Sequence, residues 1–118
     1  MRYFVIAGEP SGDLHGSKLM RGITKFDSDA RFRFCGGDRM VEVGGSENLV
    51  KHYKDMSFFG FMQVLKNLKT IFSQIDECKH AIEQFNPDVI ILIDYPSFNM
   101  RIAKWARVVC ALVANICL

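Results

Sequence analysis

Continuous apolar runs alternate along the chain with segments in which apolar residues recur every three or four positions. Arg2–Gly8 and Asp88–Ile93 are almost entirely apolar, which is typical of strands buried on both faces of a parallel sheet. Ala30–Cys35 alternates apolar and polar residues and ends at two glycines, which predicts a further strand. A short strand is also expected near Leu49-Val50.

Helical patterns lie between these strands. The 3–4 spacing of apolar residues predicts helices from Asp13 to about Phe26 and from Gly60 to about Gln84. A short helix is expected before Gly44-Gly45, and a last one near Asn99. Strands alternating with helices predict an α/β fold with a doubly wound parallel sheet, in which ligands bind at the carboxyl ends of the strands.

Length, charge and cysteine spacing argue against several classes of protein. A chain of 118 residues is large enough for one domain, and its net charge of +2 is too small to indicate nucleic-acid binding. The N-terminus carries no signal-peptide pattern. The four cysteines form no CxxC pair and are expected to be free and mostly buried, and their spacing with the three histidines predicts no metal site.

The loop after the first strand, Gly8-Glu9-Pro10-Ser11-Gly12-Asp13, has the composition of a ligand-binding turn. Its glycines permit a tight turn and close approach of the backbone, and Ser11 is expected to cap the next helix. The N–H groups at that helix start favour an anion such as phosphate. The alternative is a capped turn without a ligand, since the loop lacks a full GxGxxG.

Asp94 follows the apolar strand 88–93 and precedes Tyr95-Pro96. A carboxylate at the rim of a sheet, half shielded from water, is suited to act as a general base. The alternative is an aspartate that caps a turn or the following helix.

The segment 56–62 is apolar all round at the place where a helix is expected to start. Its apolar residues are Met56, Phe58, Phe59, Phe61 and Met62, and the flanking basic residues are Lys51, His52, Lys54, Lys66 and Lys69. If exposed, the five apolar residues, here called the Phe/Met patch, form a surface for acyl chains or a membrane with a basic rim. If buried, they are a corner of the core.

Four motifs together resemble one family of bacterial glycosyltransferases, the lipid-A-disaccharide synthases. They are VIAGEPSGDLHGSKLM, FCGGDRM, MSFFGFMQVL and FNPDVIILIDYPSFNMRIAK, in the family's order and spacing over about residues 1–106. The family pattern AGExSGD is met by Ala7-Gly8-Glu9 and Ser11-Gly12-Asp13. Pro10 and Gln63 depart from the residues that many members carry.

The resemblance implies the N-terminal, acceptor-side Rossmann-like half of a GT-B glycosyltransferase. Such an enzyme transfers 2,3-diacylglucosamine from UDP to 2,3-diacylglucosamine 1-phosphate (lipid X), forms a β-1′,6 bond and releases UDP. It inverts the anomeric centre without metal or cofactor. By the same resemblance Asp94 is the catalytic base, Gly8, Glu9, Ser11, Gly12, Asp13 and Asn99 line the substrate cleft, and the Phe/Met patch faces acyl chains and the anionic inner face of the bacterial inner membrane.

After Ala106 the sequence leaves the family pattern and ends in the apolar run Val108–Leu118. This run is too short to span a membrane and is expected to be a helix leading into a strand, or out-of-frame sequence. The resemblance then implies that residues 1–118 are an incomplete domain that lacks the donor-binding domain and is inactive alone. Two alternatives stay open: another GT-B sugar-nucleotide enzyme of the UDP-sugar epimerase type, and a non-catalytic flavodoxin-like phosphate-binding module.

Overall fold

The computed structural model describes residues 1–55, 68–93, 102–106 and 112–116. The five strands are β1 (Arg2–Ala7), β2 (Arg31–Gly36), β3 (Leu49–His52), β4 (Val89–Ile93) and β5 (Leu112–Ile116). The helices are α1 (Pro10–Phe26), α2 (Asp38–Gly44) and α3 (Leu68–Phe85), with a 3₁₀ turn at Ser46–Asn48. Residues 102–106 are also helical.

The strands form one parallel sheet in the order β3-β2-β1-β4-β5. The chain moves from β1 outward to β3 and then returns to the other side of β1 to form β4 and β5. The order therefore reverses between β1 and β4, which is the point where doubly wound sheets bind ligands. The α/β fold class predicted from the sequence is confirmed.

Helices cover both faces of the sheet because the strands are apolar on both faces. Alternate residues of β1 divide between the two layers: Phe4 and Ile6 pack towards α3 and residues 102–106, whereas Val5 and Ala7 pack towards α1 and α2. On the α1 side Met20 and Met40 are fully buried. All five residues of β4 are buried, as a central strand of a parallel sheet requires.

Several predicted boundaries shift by one residue, and one shifts by three. The first strand ends at Ala7 and the fourth begins at Val89, since Asp88 instead exchanges hydrogen bonds with the backbone of Arg2. The predicted helix start at Asp13 is wrong, because α1 begins at Pro10. The helix predicted from Gly60 is observed over Leu68–Phe85, and residues 60–67 lie outside the described residues.

The apolar C-terminal run contains β5, which pairs with the whole of β4 from Val89–Leu112 to Ile93–Ile116. Among the cysteines, Cys35 and Cys78 are free and buried as predicted, whereas Cys110 and Cys117 lie outside the described residues. A hydrogen bond with Cys35 and burial raise the pKa of the Cys78 thiol well above its usual range. The Cys78 thiol therefore stays protonated, and both cysteines pack as core side chains.

Candidate functional site at the carboxyl ends of the strands

Strands β1 and β4, which precede Gly8–Asp13 and Asp94 in the sequence, end side by side in the sheet. The last residue of β1, Ala7, is the register partner of the last residue of β4, Ile93. Gly8 and Asp94 are the next residues in the sequence after these two strands, between which the strand order reverses. Asp94 and Asn99 lie outside the described residues, so their assigned roles stay predictions.

The start of α1 differs from the predicted capping arrangement. Glu9 is the N-cap residue in an extended conformation, and Pro10 occupies the first helical position. Proline suits that position because its fixed φ matches the helix and its missing N–H needs no partner. Ser11 therefore lies inside the first turn and its hydroxyl donates to Glu9 Oε1 at 3.3 Å. The predicted capping role of Ser11 is wrong.

The consequence is a helix start whose first N–H groups have no side-chain cap. The first N–H groups of a helix have no intrahelical acceptor, and here they belong to Ser11 and Gly12 since Pro10 has none. Glu9 makes no side-chain cap that would occupy them. Backbone N–H groups at the positive end of a 17-residue helix favour a negatively charged or electron-rich ligand group.

Glycine allows α1 to lie against the ends of β1 and β4. A Cβ atom added at Gly12 would come within 3.2 Å of Ala7 Cβ and 3.6 Å of Ile93 Cγ2. One turn later, a Cβ at Gly16 would lie 3.2 Å from Ile93 Cδ1. The glycines of the motif therefore set how closely the loop approaches the point where the strand order reverses.

Asp13 has a role that the sequence did not indicate. Its carboxylate is 4% exposed and accepts three backbone hydrogen bonds from the start of α2. Oδ1 accepts from Gly37 N–H at 2.8 Å and Met40 N–H at 3.0 Å, and Oδ2 accepts from Arg39 N–H at 3.1 Å. A side chain of α1 therefore caps the neighbouring helix α2.

This cap joins two loops that leave neighbouring strands. Gly37 is the N-cap residue of α2 and makes no side-chain cap of its own, so the Asp13 carboxylate supplies the acceptor that α2 lacks. The negative charge also lies at the positive end of the α2 dipole. Asp13 thus fixes the β1–α1 loop to the β2–α2 loop, and its predicted contact with substrate stays a prediction.

The end of β3 adds polar groups to this edge of the sheet, including His52 and Lys54, which were predicted only as basic flanks of the Phe/Met patch. Lys54 N–H donates to His52 Nδ1 at 3.2 Å, which leaves the ring proton on Nε2, 3.2 Å from Asp38 Oδ1. The Tyr53 ring lies 4.6 Å from the imidazole, and Tyr53 N–H donates to Gly36 O at 2.8 Å. Polar groups therefore lie at the carboxyl ends of β1, β2 and β3, and these groups are here called the rim.

The Phe/Met patch follows directly after this rim and lies outside the described residues: Met56, Phe58, Phe59, Phe61 and Met62. Of its predicted basic flanks, Lys51 forms an ion pair with Glu77 at 2.9 Å, and Lys54 is exposed. Within the part of the chain that the structure describes, no helix has the length and apolarity to cross a membrane. The same residues contain no group of three metal-ligating side chains.

Comparison with known proteins supports one family. A family model described as Lipid-A-disaccharide synthetase matches residues 3–111. The lipid-A-disaccharide synthase of Geobacter sulfurreducens is 41% identical over 106 residues, which are 90% of this chain and 27% of that protein. The enzyme of that name from Trichlorobacter lovleyi is 40% identical with the same coverage, and that from Nitrosococcus oceani 36% identical over 87% of this chain and 26% of its own length. The chain spans about a quarter of the length of these curated relatives.

Proposed function

The chain belongs to the lipid-A-disaccharide synthetase family, and from this premise we propose that it forms the acceptor side of a lipid-A-disaccharide synthase. The observation that supports this most is the pairing of Ala7 with Ile93 at the point where the strand order reverses. It brings the first residues of two family motifs to one edge of the sheet: Ala7 of AGExSGD and Ile93 of IDxPxFN. A ligand crevice is expected there from the topology alone.

The proposed reaction is the transfer of 2,3-diacylglucosamine from UDP to the 6-hydroxyl of lipid X. The acceptor oxygen attacks the anomeric carbon, the bond from that carbon to UDP breaks, and the hydroxyl proton passes to a base. We assign the base to Asp94. No metal or cofactor is assigned a role, and the UDP would be held by a second domain, as in other GT-B enzymes.

In this proposal the loops that the structure describes orient the acceptor sugar. Gly8, Glu9, Ser11 and Gly12 form the wall of the cleft beside Asp94, and the N–H groups of Ser11 and Gly12 offer donors to the acceptor sugar. Asp13 contributes by holding this wall against α2 through its three hydrogen bonds. Rigid placement of such groups is what makes a positioned hydroxyl reactive.

Membrane association at the cytoplasmic face of the inner membrane is part of the proposal. Both substrates carry acyl chains, and the Phe/Met patch follows the rim at which the polar head of the acceptor would bind. The exposed Lys54 lies on that rim, where it would face anionic headgroups. The test is co-sedimentation with anionic vesicles, and equal binding by the Phe58→Ser, Phe59→Ser double variant would remove this part of the proposal.

The experiment that tests the reaction is a chimera. Residues 1–106 replace the corresponding segment of the Geobacter sulfurreducens relative, and the product is assayed with UDP-2,3-diacylglucosamine and lipid X. We expect formation of the acylated disaccharide, and Asp94→Asn should lower kcat about 100-fold to 10,000-fold because a general base contributes that much.

The matched control is Asp76→Asn, which removes the same charge from an exposed position on α3 and should leave kcat unchanged. A folded chimera without disaccharide product would contradict the proposed function. Turnover of the Asp94→Asn chimera at the level of the unsubstituted chimera would contradict only the base assignment.

A further inference from the structure

A cavity of about 440 Å³ opens at the edge of the sheet opposite to the candidate cleft. It lies beside the amino-terminal half of β2, whereas the cleft lies at the carboxyl ends of the strands. Its lining combines two arginines, two small polar side chains and an apolar wall: Arg31, Arg33, Thr24, Asn48, Phe32, Phe85, Val43, Ala30 and Gly44.

The cavity exists because β3 is shorter than β2. Pairing with β3 begins at Phe34, opposite Leu49, and continues to Gly36. Among the described residues, the first three residues of β2, Arg31–Arg33, therefore have β1 on one side and no strand on the other. The space that a longer β3 would fill is left open beside two arginines.

These arginines are not neutralised within the part of the chain that the structure describes. Neither guanidinium group forms a hydrogen bond or an ion pair there, and Arg33 Nε is buried without a partner. No aspartate or glutamate is among the residues that line the cavity. A buried guanidinium nitrogen without an acceptor is unfavourable, and an occupant that supplies oxygen acceptors would remove that penalty.

We propose that this cavity binds a phosphoryl group of a small phosphorylated molecule. Arginine presents a planar fork of N–H donors that matches phosphate oxygens, and two arginines match the charge of about −2 that a phosphate monoester carries. Phe32, Phe85 and Val43 offer an apolar wall for the remainder of the molecule. The site lies on the other edge of the sheet from the proposed transfer reaction and does not depend on it.

Titration of the purified 118-residue chain with inorganic pyrophosphate, followed by calorimetry at constant ionic strength, tests the proposal. We expect saturable binding that weakens about tenfold in Arg33→Gln, because one charge-assisted hydrogen-bonding partner is lost. Arg33→Lys keeps the charge without the fork and should give an intermediate affinity.

The matched control is Arg21→Gln, an exposed arginine of α1 that does not line the cavity, and its affinity should equal that of the unsubstituted chain. A parallel arm measures binding to phosphatidylglycerol and phosphatidylcholine vesicles. Weaker pyrophosphate binding in Arg33→Gln supports a small phosphorylated molecule, whereas loss of phosphatidylglycerol binding alone would indicate a lipid headgroup and would contradict the proposal. If the Arg33 substitution changes neither, or if pyrophosphate binds equally well to folded Arg33→Gln, the proposal is wrong.

Discussion

The two edges of the sheet use the same residue type in opposite ways. At the carboxyl-end edge, Asp13 is 4% exposed and accepts three backbone hydrogen bonds from residues 24 to 27 positions further along the chain. At the amino-end edge, Asp27 lies near the surface and accepts from the amino group of Met1 and from Tyr3 Oη, both at 3.0 Å. The first aspartate joins two loops, whereas the second pairs with the end of the chain.

The difference shows where hydrogen bonds hold loops of this fold in a fixed position. Water can replace the partners of Asp27 when the contact breaks, but it cannot readily reach the N–H groups that bind Asp13. A carboxylate buried among backbone donors therefore fixes the position of both loops, and a surface ion pair contributes little. The buried carboxylate lies at the edge where the topology predicts a ligand.

The largest expected effect is that of Asp13→Ala, which would break this comparison on its buried side. The substitution leaves N–H groups of Gly37, Arg39 and Met40 without their acceptor. We expect the free energy of unfolding, measured by urea denaturation, to fall by about 3 kcal/mol. Asp13→Asn keeps one acceptor oxygen and should lose about half as much. Equal stability of Asp13→Ala and the unsubstituted chain would show that the cap does not hold the two loops together.

A smaller effect is expected from Gly37→Ala, which adds one methyl group at the same junction. The new Cβ would lie 2.4 Å from Tyr53 Cε2 and 2.7 Å from Asp13 Oδ2, so the ring or the carboxylate must move. Overpacking of this kind costs about 1–3 kcal/mol.

Gly22→Ala is the matched control for that substitution, because nothing lies within 4 Å of the added Cβ on α1. Alanine in a helix interior should stabilise the chain by about 0.5–1 kcal/mol. The two glycine substitutions should therefore change the urea midpoint in opposite directions, and a shift in the same direction would argue against a tightly packed junction at Gly37.

The sequence was sufficient for the parts of the fold that depend on local pattern. The apolar runs of β1 and β4 indicated burial on both faces, and the alternation of Phe32 and Phe34 with arginine identified β2. Because parallel strands end at one edge, the same pattern also indicated that the strands preceding Gly8–Asp13 and Asp94 end together, as the pairing of Ala7 with Ile93 shows.

The parts that were missed depend on contacts distant in sequence. The partners of Asp13 begin 24 residues away, and the contact between His52 and Asp38 depends on the register of β3 against β2. The capping role of Ser11 was wrong for a local reason: Pro10 favours the first helical position and moves the cap to Glu9. Sequence pattern thus predicted the strands that end beside the loop Gly8–Asp13, but not the hydrogen bonds that hold this loop in place.

The smallest expected effect concerns Asp27 and sharpens the comparison from its exposed side. A hydrogen bond with the amino group of Met1, followed by that from Tyr3, lowers the pKa of the Asp27 carboxyl below 3.8, against a partial opposing effect of burial. A lowered pKa in the folded state gives a contribution to stability that is present above about pH 3.8 and is lost as the pH falls through the folded value.

The free energy of unfolding should therefore differ slightly between the unsubstituted chain and Asp27→Asn at pH 7, and the difference should close in acid. Asp29→Asn, in the same turn, is the control and should leave the free energy of unfolding at pH 7 unchanged, since its carboxylate forms no hydrogen bond or ion pair with the described residues. Equal stability of Asp27→Asn and the unsubstituted chain at pH 7 would mean that the Asp27 contact with the amino group does not contribute to stability in solution.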